Sequence, residues 1–250
     1  MDIAEWKQHG YPFDIRRNKQ VVDGPNRYVL FLANSAISGG CDIDENQPDR
    51  WQWLFSFTRA LDTIYDKDVD EDIDPEQLWS TKYQGQEYQC GSGESVKLDD
   101  VREKFEQNVE AKKSTTDPQE YVKCRIKEME LFMPMGELAV SAEGIDDKVL
   151  KARSRFNKGL LLGGISACLI DDCTDIKEDF ETGIHKMNPT LRNKLILGQQ
   201  AINYGIRGLL RFPPSQFFNI AKLAAANFSK SLFETSLQIT QNRVRYNKQA

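Results

Sequence analysis

A row of carboxylates ends an apolar segment in the second half of this chain. Asp171, Asp175 and Asp179 are spaced four residues apart and follow the apolar run 159–170. On a helix this spacing aligns three side chains on one face, one turn apart. Aligned carboxylates suit a hard divalent cation such as Mg2+, which can in turn hold phosphate oxygens. The pattern therefore predicts a metal site at the mouth of an apolar cavity, suited to cleaving a diphosphate from a hydrocarbon.

A second acidic pair lies earlier in the chain. Asp62 and Asp66 are also four residues apart, at the end of an aromatic-rich helix predicted over residues 49–64. If the two predicted helices face each other, their five carboxylates surround one site. Mg2+ usually keeps some water ligands and bridges to substrate phosphates, so carboxylates on two sides suit it. Mn2+ would accept the same oxygen ligands.

The two acidic segments resemble the metal-binding motifs of the class I terpenoid synthases, the superfamily of terpene cyclases and isoprenyl diphosphate synthases. Asp62-Thr63-x-x-Asp66 is similar to the first motif, D-D-x-x-D, with Thr63 in place of the second aspartate. The run 171–179, DDCTDIKED, lies between the D-D-x-x-D of chain-elongating synthases and the N-D-x-x-S-x-x-K-E of cyclases. It departs from the cyclase motif at Glu178, where the family has lysine.

Two further segments resemble the diphosphate-binding groups of bacterial-type cyclases. Residues 120–125, EYVKCR, are similar to an E-Y-x-x-x-R helix, and the resemblance implies that Arg125 contacts the diphosphate. Arg245 and Tyr246 are similar to an Arg-Tyr pair that closes over the same group, and Lys177 is a further candidate contact. Arginine offers a planar fork that matches phosphate oxygens. The resemblance covers about residues 50–246.

The resemblance implies an enzyme that ionises an allylic prenyl diphosphate, such as geranyl, farnesyl or geranylgeranyl diphosphate, with about three Mg2+ ions. In a terpene cyclase the carbocation then cyclises. In a prenyltransferase it passes to a small-molecule acceptor or to isopentenyl diphosphate. The matches at Arg125 and Arg245 favour the cyclase by a small margin, whereas the Asp-rich second motif favours the prenyltransferase. Related folds often pair as helical dimers, so a homodimer is a further expectation.

A different class of function also fits the sequence. The substitutions at Thr63 and Glu178 allow a non-catalytic helical protein, in which the acidic rows are solvated surface. Its aromatic grooves would then bind a lipid or a partner helix.

The elements that position these residues are predicted to be helices. Apolar residues recur with the helical period, and no segment shows the alternation of a half-buried strand. A single all-α domain is therefore predicted over residues 1–250, a helical bundle with a central apolar active-site cavity. Its first 25 residues are irregular, and residues 82–95 form a flexible, glycine-containing loop. The predicted helices span residues 27–38, 49–64, 96–113, 118–140, 146–179, 189–210 and 214–244.

A carbocation needs a pocket that excludes water, and aromatic faces stabilise its charge. The candidates for the lining are aromatic residues and two glycines of the apolar run: Phe55, Phe57, Phe132, Phe156, Gly163 and Gly164. Each glycine costs about 1 kcal/mol relative to alanine inside a helix. A helix kink or a close approach of the substrate would account for that cost.

Composition argues against several other classes of protein. The net charge of −5, with no basic stripe, argues against a nucleic-acid binder. The apolar run 159–170 is too short to span a bilayer. Five cysteines without a C-x-x-C pair predict reduced thiols and, with no signal-peptide pattern at the start, a cytoplasmic protein.

Overall fold

The computed structural model is a bundle of α-helices, and the all-α prediction is confirmed for the part of the chain that it describes. That part comprises residues 27–44, 47–66, 75–80, 88–89, 91, 94–140 and 144–212. The helices are α1 (Arg27–Ser38), α2 (Gln47–Asp66), α3 (Pro75–Trp79), α4 (Leu98–Ser114), α5 (Pro118–Phe132), α6 (Asp147–Thr182) and α7 (Leu191–Leu209). The predicted N-terminal segment 1–25 and the predicted helix 214–244 lie outside these ranges. None of the described helices combines the length and the hydropathy that crossing a membrane requires.

A short antiparallel pair is one departure from the helical prediction among these residues. Strand β1 (Tyr88–Gln89) pairs with β2 (Ser95–Val96), with Tyr88 opposite Val96. Two-residue strands are too short to show the alternation by which a strand is predicted from sequence. The pair lies at the end of the predicted loop 82–95, part of which the structure does not describe.

Helix α5 is shorter than predicted. Its start agrees with the sequence, because the Asp117 carboxylate accepts a hydrogen bond from the Gln119 backbone N–H and Pro118 occupies the first turn. The predicted end at residue 140 is wrong, because α5 ends at Phe132 and the 3-10 turn Met133–Gly136 follows. Pro134 has no N–H to donate and its ring disfavours a continuing α-helix, which accounts for the early end.

Helix α6 is the longest described element. Its 36 residues span about 54 Å. The Asp146 carboxylate caps its start by accepting from the Lys148 N–H. Gly183 ends it in the left-handed conformation, at φ 78°, four residues beyond Asp179, the last of the predicted acidic row. The helix therefore carries that row in its last three turns, as predicted.

The core is aromatic where α2 meets α3, α4 and α5. Trp53 stacks on Phe57 with ring centroids 4.8 Å apart. The ring of Phe57 meets Trp79 edge-on at 5.4 Å and Phe132 at 6.2 Å. All four side chains are buried. Each such pair stabilises the fold by about 0.5–1.5 kcal/mol beyond the contribution of the buried area. This region therefore contributes strongly to the stability of the bundle.

Helix α7 packs antiparallel on α6 at very close range. The Ser166 hydroxyl of α6 donates to the Ala201 carbonyl of α7 at 2.8 Å. A Cβ atom at Gly208 would lie only 3.1 Å from the backbone nitrogen of Gly163 and 3.4 Å from the Gly159 carbonyl oxygen. The helix continues through its glycines without interruption. The backbone of α6 therefore requires a glycine at 208, whereas a Cβ atom at Gly163 would meet no atom of the described residues within 4 Å.

Candidate functional site

A buried ion pair joins α6 to α5 beside the predicted acidic row. The Asp172 carboxylate is 3% exposed and is not one of the predicted ligands. The Arg125 guanidinium donates from Nε to Asp172 Oδ2 at 2.8 Å and from Nη2 to Oδ1 at 2.5 Å. Tyr121 donates from its hydroxyl to the same Oδ1 at 3.0 Å. The fork of the arginine and the phenol thus fix this carboxylate in one orientation.

The charges around this pair balance. The guanidinium of Arg125 also donates to Glu128 Oε2 at 2.9 Å. The ammonium of Lys112, on α4, lies 3.8 Å from the same oxygen, and both side chains are buried. We call Asp172, Tyr121, Arg125, Glu128 and Lys112 the Asp172 cluster. It holds two anions and two cations, and pairing is what makes four buried charges tolerable.

The pKa values within the cluster follow from burial and from this pairing. Burial raises the pKa of Tyr121 well above its usual value, and the Asp172 carboxylate raises it further. Burial alone would lower the pKa of Arg125. The Asp172 and Glu128 carboxylates outweigh that effect and hold the pKa well above its usual range. The phenol is therefore a neutral donor and the guanidinium stays charged.

The chain that leaves α6 places a buried histidine next to this cluster. The His185 ring meets the Tyr121 ring edge-on at 5.5 Å. Its Nδ1 accepts a hydrogen bond from the Met187 N–H, so the neutral ring carries its proton on Nε2. That Nε2 is buried without a hydrogen-bond partner and lies 3.8 Å from Asp179 Oδ2. Burial, the largest cause, lowers the pKa of His185.

Sequence reasoning assigned no role to His185 or to Asp172. One signal for the histidine is its position two residues after Gly183, since such a glycine turns the chain back beneath the helix end. The backbone N–H of Ile184 donates to the Asp179 carbonyl at 2.8 Å, which completes that turn. The signal for Asp172 is its spacing, three residues after Leu169 and four before Ile176, which places it on the buried face of α6.

The predicted ligands of the second motif share one face of α6, as their spacing requires. Asp171 is exposed, and Asp175 and Asp179 are partly buried. Lys177 is exposed and its ammonium lies 3.6 Å from a carboxylate oxygen of Glu181.

The other predicted ligands and contacts are only partly covered by the structure. Asp62 and Asp66 lie in the last two turns of α2, but their side chains and that of Thr63 are outside the described residues. Arg245 and Tyr246 also lie outside them. The roles assigned to all of these residues stay predictions.

The described side chains do not by themselves make up a metal site. Among them, no group of three or more His, Cys, Asp and Glu residues is arranged to hold a metal ion. Side chains one helical turn apart have Cβ atoms about 5–6 Å apart, so a single helix face cannot enclose a cation. A Mg2+ site at Asp171, Asp175 and Asp179 would therefore be completed by ligands from outside this helix face: waters, substrate phosphates or a second element of the protein. The predicted second element is α2.

Contacts between the described residues place the acidic ends of α2 and α6 at the same end of the bundle. Near the starts of these helices, the rings of Trp51 and Phe156 have centroids 5.7 Å apart. Near the end of α2, the Tyr65 carbonyl accepts a hydrogen bond from the Lys113 ammonium at 2.9 Å. Lys113 is the neighbour of Lys112 in the Asp172 cluster, which is anchored on α6. The two helices therefore run in the same direction, with α4 and α5 linking their acidic ends.

Arg125, the predicted diphosphate contact, is turned inward. Its guanidinium is occupied by Asp172 and Glu128. In this arrangement it holds α5 against α6.

The predicted pocket residues pack mainly against other side chains. Phe57 and Phe132 belong to the aromatic core, and Phe55 is partly buried. A Cβ atom at Gly164 would meet the Met133 sulfur at 3.2 Å. Phe156 contacts Phe212 edge-on at 5.8 Å.

A small cavity of about 160 Å3 lies beside Phe156, towards the start of α6 and away from the acidic end. Its lining includes Cys41 of the segment after α1, Arg155 of α6, and Arg211 and Phe212 after α7. It is thus separate from the predicted metal site.

Comparisons of the chain with protein-family models, curated proteins and solved structures gave no match. The functional argument therefore depends on the residues of the chain itself.

Proposed function

We propose that this protein is a Mg2+-dependent enzyme that ionises an allylic prenyl diphosphate, as its resemblance to the class I terpenoid synthases implies. The observation that carries the proposal is the common direction of α2 and α6. It brings the helix ends that bear Asp62 and Asp66, and Asp171, Asp175 and Asp179, to one end of the bundle.

The Asp172 cluster supports the proposal because it fixes the rotation of α6. Successive residues of a helix are about 100° apart around its axis. Holding Asp172 inward against Arg125 therefore directs Asp171 and its face to one defined side. A row of carboxylates that must share cations with a second helix needs such a fixed orientation. When bound, Mg2+ offsets the negative charge that develops on the leaving diphosphate.

We propose cyclisation as the fate of the carbocation, with transfer to an acceptor as the second candidate. A specific observation favours that second candidate. Arg125, one of the matches to the cyclases, is bound to Asp172 and Glu128 inside the protein. The second candidate does not depend on Arg125, because it rests on the Asp-rich segment 171–179, which is similar to that of the elongating enzymes.

The test is turnover of purified protein with geranyl, farnesyl and geranylgeranyl diphosphates, in Mg2+ and in EDTA. Diphosphate release and organic-extractable products are followed together. We expect release that requires Mg2+, with a cyclic hydrocarbon or alcohol as the product. Release that appears only when an acceptor or isopentenyl diphosphate is added would identify the prenyltransferase.

Substitutions in α6 test whether turnover depends on the predicted ligands or on the negative charge of the helix in general. Asp171→Asn and Asp175→Asn are expected to lower turnover by more than about 100-fold, the upper end for outer-shell partners of a metal. Glu181→Gln is the matched control, since Glu181 is exposed on the same helix and has no predicted ligand role. It is expected to leave turnover within about twofold. No Mg2+-dependent release from any of the three substrates would overturn the proposal and favour a non-catalytic helical protein.

A further inference from the structure

Helix α7 presents a stripe of large apolar side chains to solvent. Each is between 54% and 74% exposed, and together we call them the α7 stripe: Leu191, Leu195, Ile202, Ile206 and Leu210. At about 100° per residue they fall within about 100° of each other around the helix axis. Leu197 and Ala201, which are fully buried, lie on the side that faces α6. A stripe this wide is typical of a helix face that is covered by something else.

The segment that carries the stripe has charged residues of one sign only. Residues 183–212 contain no Asp or Glu, whereas the whole chain has a net charge of −5. Arg192 and Arg207 are exposed and border the stripe on its solvent side. The Arg207 guanidinium lies over the Tyr204 ring at 5.4 Å, which holds it close to the helix. The basic residues of this segment are Lys186, Arg192, Lys194, Arg207 and Arg211.

We propose that the α7 stripe docks on an anionic lipid surface. A helix lying in the plane of a membrane inserts an apolar face into the boundary of the acyl chains and keeps basic residues at the headgroups. The stripe supplies that face over about 28 Å of helix, and Arg192 and Arg207 supply the basic border. A second copy of the chain fits less well, because α7 against α7 would bring two basic borders together.

The proposal is independent of the proposed enzymatic function. It uses no residue of the acidic face of α6, and it concerns attachment to the surface of a bilayer.

The test is co-sedimentation of the full chain with vesicles. Vesicles of phosphatidylcholine with phosphatidylserine are compared with vesicles of phosphatidylcholine alone, at low and high salt. We expect binding to the anionic vesicles, weakened by salt and much weaker on the neutral ones.

Two double variants test the apolar residues and the basic residues of the surface separately. Ile202→Ser with Ile206→Ser removes apolar area and is expected to weaken binding by about tenfold or more. Arg192→Glu with Arg207→Glu is expected to weaken it by about fivefold or more for each cation. The matched controls are Ile37→Ser, an exposed apolar residue at the end of α1, and Lys104→Glu, an exposed cation of α4. Both controls are expected to bind as the wild type does, and circular dichroism checks that all variants remain helical.

Three results would overturn the proposal. One is no sedimentation of the wild type with anionic vesicles. Another is equal loss of binding in the control variants. The third is a stable dimer of the wild type, seen by light scattering, that Ile202→Ser with Ile206→Ser dissociates, since a second copy would then be the occupant of the stripe.

Discussion

Helix α5 is held by aromatic packing at its C-terminal end, at Phe132, and by buried charges in its middle, at Arg125 and Glu128, which we call its charged region. At Phe132 the contacts are rings at 5–6 Å, which depend on filled volume and tolerate some change of shape. At Arg125 the contacts are directional hydrogen bonds between buried charges, each of which depends on its partner. The aromatic end thus supplies stability. The charged region fixes how α5 and α6 are oriented next to the predicted site.

Removal of one charge from the charged region is expected to have the largest effect on stability. Arg125→Met leaves the Asp172 and Glu128 carboxylates buried with only Lys112 nearby. We expect the free energy of unfolding to fall by about 3–5 kcal/mol, measured by urea denaturation.

The matched control for that variant is Arg102→Met. Arg102 also pairs with two carboxylates, but on the surface, with Glu76 and Glu106. Its loss is expected to cost less than about 1 kcal/mol. Equal losses in the two variants would contradict the distinction between a buried and a surface network.

Removing both members of the central pair sharpens the comparison. Arg125→Met with Asp172→Leu leaves Glu128 balanced by Lys112, so we expect it to be less destabilised than Arg125→Met by about 1–3 kcal/mol. Part of the loss remains, because the Tyr121 hydroxyl no longer has its acceptor. A double variant less stable than the single one in urea would show that Asp172 contributes more than its pairing with Arg125.

A substitution at the aromatic end should destabilise the protein less. Phe57→Leu removes ring contacts with Trp53, Trp79 and Phe132 but leaves an apolar side chain of similar size. We expect a loss of about 1–2 kcal/mol of unfolding free energy by the same denaturation measurement. A loss as large as that of Arg125→Met would mean that the aromatic end depends on ring geometry as strictly as the charged region depends on charge pairing.

The smallest expected effect is the pH dependence of stability that comes from His185, next to the charged region. Burial lowers the pKa of His185 from the ordinary value of 6.5, so below that pH the unfolded chain binds a proton that the folded chain does not. Its contribution to stability is complete above pH 6.5 and is lost as the pH falls towards the lowered pKa. The unfolding free energy should fall between about pH 7.5 and pH 5.5, by at most about 1.4 kcal/mol per pH unit for this group.

His185→Gln tests that assignment, because glutamine does not titrate. Its thermal unfolding should depend less on pH over the same interval. An unchanged pH dependence would show that other groups, such as the carboxylates, account for the effect.

Local signals predicted much of the fold. The Asp117–Pro118 pair and Asp146 mark the starts of α5 and α6, since a cap depends only on neighbours in sequence. The helical placement of the 171–179 row follows in the same way from the period of α6. These predictions needed no information about the other helices.

The parts that sequence reasoning missed depend on contacts between distant segments. The helical period places Asp172 on the inward face of α6, but its partner Arg125 is 47 positions away in the sequence. The need for a glycine at 208 comes from the backbone of another helix, α6. The period of a helix identifies its faces, but which partner each face meets is decided by the whole bundle.

The contact between the glycines of α6 and α7 also limits how the molecule can move. At Gly208 the two backbones touch, with no side chain between them to rearrange. Sliding α7 by one turn would bring Tyr204 or Phe212 to the point where only a hydrogen atom fits. The contact therefore opposes sliding of α7 along α6, and we expect the two helices to move as one unit.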